Sequence, residues 1–384
     1  MTQITEDWIR VEATQDVCSA LTNAGAQALF VGGCVRNALL NAPVSDIDIA
    51  TDAHPERVLE LTSKAGLKAI PTGIDHGTIT VVSGGIPHEV TTFRRDVETD
   101  GRRAVVAYAD AVEEDAARRD FTMNALYARP DGTILDPLNG LPDLRARRVR
   151  FIGNAEDRIK EDYLRSLRYF RFHAWYGDAD AGFDPEALSA IASHLEGLEK
   201  LSRERVGAEM LKLLGAPDPA PSVAAMRSAG VLARILPGAD DKALPILVKL
   251  EGDAGAPPDP IRRLAAIAPL EVARTLRLSK AQLQRLTRMR DEAMGTAGVA
   301  ELGFRYGSTG GLHETLLRCA FLEQPWTDDL AIALEKGAAA SFPIKANDLI
   351  PKYSGPALGK KLAELEARWI ASGFLLDRDE LLAE

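Results

Sequence analysis

Apolar residues recur at near-helical spacing through residues 5–28, at Trp8, Val11, Val17 and Leu21, predicting an amphipathic helix ended by Ala24-Gly25-Ala26. Phe30-Val31 then reads as a strand, Gly32-Gly33 as a turn, and the run to Leu40 as a short helix. Ser45–Thr51 alternates polar and apolar, so a second strand puts Asp46 and Asp48 on one face and Ile47 and Ile49 on the other. A helix starts at Pro55, runs to Lys64 and is closed by Gly66. Short strands follow at 68–71 and 79–82, with a loop at 72–78 between them. Gly84-Gly85 marks a hairpin whose returning strand, 88–94, carries Glu89. Polar, glycine-containing 96–108 reads as a mobile loop. From about 141 the strand pattern ends. A basic linker strand at 144–150 is followed by one continuous helix over 155–171 and a helix from Ser202, and helical patterning continues to the end. Proline- and glycine-rich linkers fall at 215–221 and 252–260.

Length changes the picture first: 384 residues are enough for more than one domain. The hydrophobic and charged fractions, 46% and 27%, are those of a globular chain. Cys18, Cys34 and Cys319 are scattered and odd in number, arguing for thiols in a reducing, cytoplasmic setting against a disulfide framework or zinc site. The first residues lack a basic region leading into an apolar core, and no apolar run reaches membrane-spanning length, so neither a secretory leader nor a membrane role is expected. Nothing indicates an obligate protein partner. The net charge of −10 argues against nucleic acid only on average, because a local basic stripe is what neutralises phosphates.

The chemistry begins at the second strand. Two carboxylates side by side repel, and a hard divalent cation between them relieves the repulsion. The glycine turn just upstream lets backbone N–H groups approach an anion. Together they point to phosphoryl or nucleotidyl transfer. Further on, Arg118-Arg119-Asp120-Phe121-Thr122-Met123-Asn124-Ala125 places charges against an apolar stretch, with Arg119 suited to phosphate or ribose oxygens and Asp120 and Asn124 suited to pinning the turn. Loop residue His76 suits either a phosphate contact or an ordinary turn. Arg262, Arg263, Arg274, Arg277, Lys280, Arg285, Arg288 and Arg290, with Glu271 the only acid between them, form a candidate path for an RNA backbone, and Lys360 and Lys361 after the Gly355 turn could hold a phosphate.

Several of these stretches carry a resemblance. Gly32-Gly33-x-Val35-Arg36 with Asp46-x-Asp48, the Arg-Arg-Asp-Phe-Thr-x-Asn-Ala run, Asp136-Pro137-x-x-Gly140, and Glu161-Asp162-x-x-Arg165-x-x-Arg168 resemble the motifs of the class II tRNA nucleotidyltransferase and bacterial poly(A) polymerase superfamily. Asn37 departs from that pattern, which has Asp there. The resemblance implies an α+β chain: a polymerase β-like nucleotidyltransferase head, a small sheet flanked by helices, over 1–145, then an all-α neck (146–215), body (216–335) and tail (336–384). It implies Asp46 and Asp48 as catalytic carboxylates holding two Mg²⁺ ions, with Glu89 a third candidate. It also implies nucleotide contacts at Gly32, Gly33, Arg36, Arg119, Asp162, Arg165, Arg168 and Arg171, while the positive charge noted above makes Arg274, Arg277, Arg285, Arg288, Lys360 and Lys361 the candidate contacts to tRNA. Glu204-Arg205-x-x-x-Glu209 resembles a buttressing helix with a structural role.

The implied activity is addition of CMP, CMP and AMP to tRNA 3′ ends from CTP and ATP. Cytosine and adenine each present an amino donor beside a ring acceptor, which a carboxylate and a guanidinium match; uracil and guanine present the opposite polarity. A buried mismatch of that kind discriminates by about 10⁴-fold. Poly(A) polymerase, or an enzyme adding only CC or only A, remains an alternative. Pro71–Thr78 stands where poly(A) polymerases carry Gly-Arg-Arg-Phe.

Overall fold

A computed structural model describes residues 2–99 and 104–383. The expected first helix is split: α1 (Asp7–Arg10) ends at Val11, whose backbone is extended, and α2 (Glu12–Thr22) starts anew. Local side-chain chemistry favours the break. Gln15 Nε2 donates to the Ile9 carbonyl at 2.5 Å, and Trp8 turns to pack edge-on against Phe30, 5.1 Å between ring centroids. Beyond it come β1 (Leu29–Val31), α3 (Gly33–Leu39), β2 (Ile47–Thr51) and α4 (Pro55–Lys64), close to the boundaries that patterning predicts. Then follow β3 (Lys68–Gly73), β4 (Thr78–Ser83), β5 (Ile86–Thr92), β6 (Arg94–Thr99), β7 (Ala104–Tyr108), α5 (Val112–Ala117), β8 (Tyr127–Ala128) and β9 (Ile134–Leu135).

Seven strands form one sheet in the order β3-β4-β5-β2-β1-β8-β9. All neighbours are antiparallel except β2 and β5, which run parallel with Asp48 opposite Glu89. Ile47 and Ile49 are buried and Asp48 is half-buried, so the alternation of the second strand holds. Residues 96–99 and 104–108 of the expected mobile loop belong instead to a separate two-stranded ribbon, β6 against β7. The middle of the expected loop, residues 100–103, lies outside the described residues. The expected linker strand at 144–150 is likewise corrected. Asp136 accepts from the backbone N–H groups of Gly140 and Leu141 at 2.7 and 2.9 Å, satisfying the first donors of α6 (Leu141–Arg145).

Contacts divide the chain into two compact units, Met1–Leu213 with Pro221–Ile235, and Leu214–Ala220 with Leu236–Glu384. The first unit continues past the sheet with α7 (Ala155–Glu161), α8 (Leu164–Tyr176), α9 (Pro185–Ser193) and α10 (Arg203–Leu214). Phe121 joins sheet to helices, its ring 5.0 Å from both Phe151 and Phe172. In the second unit the regular elements among the described residues are all helical.

The basic stripe in that second unit is largely spent internally. Arg262 and Arg263 are fully buried and share Glu251, at 2.7 and 2.6 Å, and Arg263 also donates to the carbonyls of Leu214, Ala216 and Pro217. Arg285 pairs with Asp259 and His313, Arg288 pairs with buried Glu314, and Arg290 donates to the carbonyls of Ala265 and Ala268. The continuous path expected through these residues is therefore not formed: buried guanidiniums must be saturated by internal acceptors, and these are. Arg274, Arg277 and Lys360 lie at the surface, Arg274 within 3.3 Å of Glu271, and Lys361 pairs with Glu364 at 2.8 Å.

Candidate active site

Gly32 ends β1 with φ +70°, a conformation that favours glycine, and starts α3. A Cβ there would lie 3.4 Å from Arg119 Nη1. The turn, the side chain of Arg119 and Asp48 thus converge. Asp48 faces the cleft from β2 with its carboxyl pushed up to about 6, first by burial and then by the charge of Glu89, with Arg119 opposing and Asp46 adding to the rise. Asp46, just ahead of the strand, is exposed and accepts from Ser45 Oγ at 2.9 Å. Among the described residues no three His, Cys, Asp or Glu side chains gather into a ready cation cage. The repulsion that Glu89 and Asp46 exert on Asp48 nevertheless fits a cation held by few carboxylates and completed by substrate phosphates, as Mg²⁺ is.

The neck departs from expectation at its central residue. The expected continuous helix breaks at Asp162, whose backbone is extended (φ −152°, ψ 107°) between α7 and α8. Its carboxylate accepts from the N–H of Leu164 at 3.0 Å and so substitutes for helical bonding. Asp162 and Arg165 are therefore not a ridge pair on one helix. Asp162 pairs with Arg205 at 2.6 Å, and Arg165 pairs with Glu161 while donating to the carbonyls of Arg158 and Arg118. Arg168 binds Asp120 through Nε and Nη2 at 2.8 and 2.5 Å, and Asp120 also accepts from Asn124 at 2.9 Å, so the expected pinning of that turn is present. Arg36, nearly buried, donates to Asn124 and Tyr176 at 2.5 and 2.8 Å and stacks on the Tyr176 ring at 4.0 Å.

These groups line one open cleft of about 400 Å³: Gly32, Gly33, Arg36 and Asp48 from the sheet side, Arg118, Arg119, Asp120 and Asn124 from the following turn, and Asp162, Arg165, Arg168 and Arg205 from the helices. Six arginines face three aspartates there, so the cleft is locally cationic although the chain is acidic. A larger cavity of about 830 Å³ lies around Arg150, Asn154, Asp184 and Glu186, but it lacks the glycine turn and Asp48, so volume alone does not mark the site. Arg171 is not among the cleft residues; it is held by Glu209 at 2.5 Å. Asp46 and Glu89 stand outside the lining as well. Conversely, Arg205, expected as structural, and Arg118, the unassigned half of the Arg-Arg doublet, do line it.

A head of sheet and helices carrying carboxylates beside a glycine turn, closed by a helical neck bearing an acid and guanidiniums, defines a nucleotidyltransferase of the polymerase β type. The family described as Poly A polymerase head domain matches residues 28–150, and that described as a probable RNA- and SrmB-binding site of polymerase A matches 182–242. The mitochondrial CCA tRNA nucleotidyltransferase 1 of Homo sapiens is 32% identical over 371 residues, 92% of this chain and 85% of that protein. The CCA-adding enzyme of Streptococcus pyogenes serotype M1 is 42% identical over 214 residues, 55% of this chain and 51% of that protein. Among solved structures, the Bacillus stearothermophilus CCA-adding enzyme in complex with CTP aligns with TM-score 0.73 and 30% identity, covering 96% of this chain and 94% of that one. The Thermotoga maritima CCA-adding enzyme complexed with tRNA_CCA shares the fold at 18% identity and TM-score 0.71, covering 100% and 97%. This chain belongs to the class II CCA tRNA nucleotidyltransferase and poly(A) polymerase superfamily.

Proposed function

We propose that the chain adds CMP, CMP and AMP in turn to the 3′ end of tRNA, using CTP and ATP and releasing pyrophosphate, without a nucleic-acid template. The observation that carries this reading is the single cleft in which Gly32, Gly33, Asp48 and Arg119 meet Asp162 and Arg165. Backbone N–H groups at the turn and the Arg119 guanidinium bind the triphosphate. Asp46 and Asp48 would hold Mg²⁺, with Glu89 across the strand pair as a third carboxylate; the ion would supply activation of the attacking hydroxyl and neutralisation of the departing pyrophosphate. Asp162 accepts from the base amino group and Arg165 donates to the ring nitrogen, with Arg168 and Arg36 holding the surrounding turn. Arg171 supports the neck through Glu209. The carboxylate of Asp162 retains acceptor capacity beyond its bonds to Leu164 and Arg205, since each oxygen carries two lone pairs.

The head (1–145), neck (146–215), body (216–335) and tail (336–384) divide these tasks, with the last two gripping tRNA. Arg274, Arg277, Lys360 and Lys361 are the favoured phosphate contacts, while Arg285 and Arg288 serve the helical packing. Among the described residues no helix is long and apolar enough to cross a membrane, and the three cysteines are buried thiols, which supports a cytoplasmic setting.

The test offers the protein tRNAs ending before CCA, after C and after CC, with labelled CTP and ATP supplied separately and an unrelated RNA as control. Ordered incorporation restricted to tRNA supports the proposal. Incorporation of A onto the unrelated RNA would assign poly(A) polymerase activity instead, and incorporation of C alone or A alone would assign a partial activity. Asp46→Ala should abolish incorporation of both nucleotides while tRNA binding persists; retained turnover would refute its metal role.

A further inference from the structure

We propose that Asp115 is a positioning residue for the triphosphate grip, holding the guanidiniums of Arg118 and Arg119 in register with the glycine turn. This rests on the reading of Arg119 as a phosphate ligand. Asp115 lies on α5, is 1% exposed, and is not part of the cleft lining. Its Oδ1 accepts from Arg118 Nε at 3.0 Å and from the backbone N–H of Arg94, the first residue of β6, at 3.3 Å. Its Oδ2 accepts from Arg119 Nη2 and Nε at 2.9 and 3.2 Å and from Tyr127 Oη at 2.8 Å.

One buried carboxylate therefore ties together both arginines and the root of the β6–β7 ribbon. The arginines spend their inner nitrogens on Asp115, and Arg119 presents Nη1 toward Gly32. An exposed i,i+4 ion pair contributes little. This one is buried and saturated, so its removal frees two long side chains at once. Two guanidiniums against one carboxylate leave positive charge directed at the cleft.

Charge and geometry predict opposite results when the carboxylate is removed. A mere counter-charge would leave the cleft more positive on removal, and a triphosphate would bind more tightly. A positioning residue would leave the arginines disordered, and a triphosphate would bind more weakly despite the added charge. The experiment measures equilibrium binding of a non-transferable methylene analogue of CTP and of CMP to the full chain by calorimetry. Parent protein is compared with Asp115→Asn, Tyr127→Phe and Arg119→Gln, each checked for folding by circular dichroism.

Asp115→Asn should weaken the triphosphate analogue by about 10- to 100-fold, and CMP by less than about threefold. Tyr127→Phe, which keeps the charge but removes the hydroxyl that donates to Asp115 and accepts from Arg119 Nε at 3.1 Å, should move the triphosphate preference in the same direction by about threefold. Equal or tighter triphosphate binding in Asp115→Asn overturns the proposal. If that variant does not fold, an unchanged preference in Tyr127→Phe overturns it. If Arg119→Gln alone leaves triphosphate binding intact, the reading of Arg119 fails and the proposal falls with it. Weakening in Arg119→Gln but not in Asp115→Asn rejects only the positioning role.

Discussion

Replacing Asp48 by Asn should stabilise the metal-free protein while destroying its activity. The carboxyl is pushed up to about 6 by burial and by Glu89, against about 3.9 for an unburied aspartate. The gap of about two pH units corresponds to about 3 kcal/mol, or roughly 2 once partial exposure is allowed for. The sign follows from where the proton is held. The folded state binds it more tightly than the unfolded chain, so the protonated side chain's advantage is fully present below about pH 3.9 and is lost as pH rises through about 6. Asn carries no such charge. Urea denaturation in the presence of a chelator should therefore show Asp48→Asn more stable than the parent by roughly 2 kcal/mol at pH 8, by about half that at pH 5, and by almost nothing near pH 4. Excess magnesium should narrow the gap at pH 8, because only the parent gains binding energy from the ion. A variant no more stable than the parent at pH 8 without metal would show that burial and Glu89 do not load this carboxylate.

Further outcomes test other parts of the structure. Asp162→Ala should lose discrimination against UTP and GTP more than it loses triphosphate affinity, read as the ratio of kcat/KM values; unchanged selectivity removes Asp162 from base reading. Gly32→Ala forces a side chain into positive φ beside Arg119 and should cost about 1–3 kcal/mol in thermal or urea denaturation, with weaker CTP binding measured by titration. Glu251→Gln leaves Arg262 and Arg263 buried without their shared counter-charge and should destabilise the second unit by about 3–5 kcal/mol in urea; a loss under 1 kcal/mol, about the worth of an exposed pair, would refute that account.

The head was readable because its signals are local. Alternation around Asp48, the glycine turn at Gly32 and the proline-led start of α4 each depend on a few adjacent residues. The neck was less readable. Nothing in the periodicity of 155–171 distinguishes a continuous helix from two helices meeting at Asp162, because the break depends on a carboxylate choosing Leu164 N–H and a distant Arg205. The basic stripe failed for a related reason. Charge along a sequence carries no information on burial, and Arg262 and Arg263 turn inward because Glu251 and three carbonyls, remote in sequence, accept their hydrogen bonds.

Residue order alone was enough for the class of chemistry, since a turn that admits anions, a strand that carries Asp48 beside it and the shared motifs are properties of neighbouring residues. Tertiary packing decided which guanidiniums reach the cleft and which are consumed elsewhere. Arg171 and Arg168 are three positions apart on one helix, yet one meets Glu209 and the other meets Asp120 at the cleft. A long cationic side chain adopts whichever partner the fold brings near it, and that partner is set by chain segments tens of residues away.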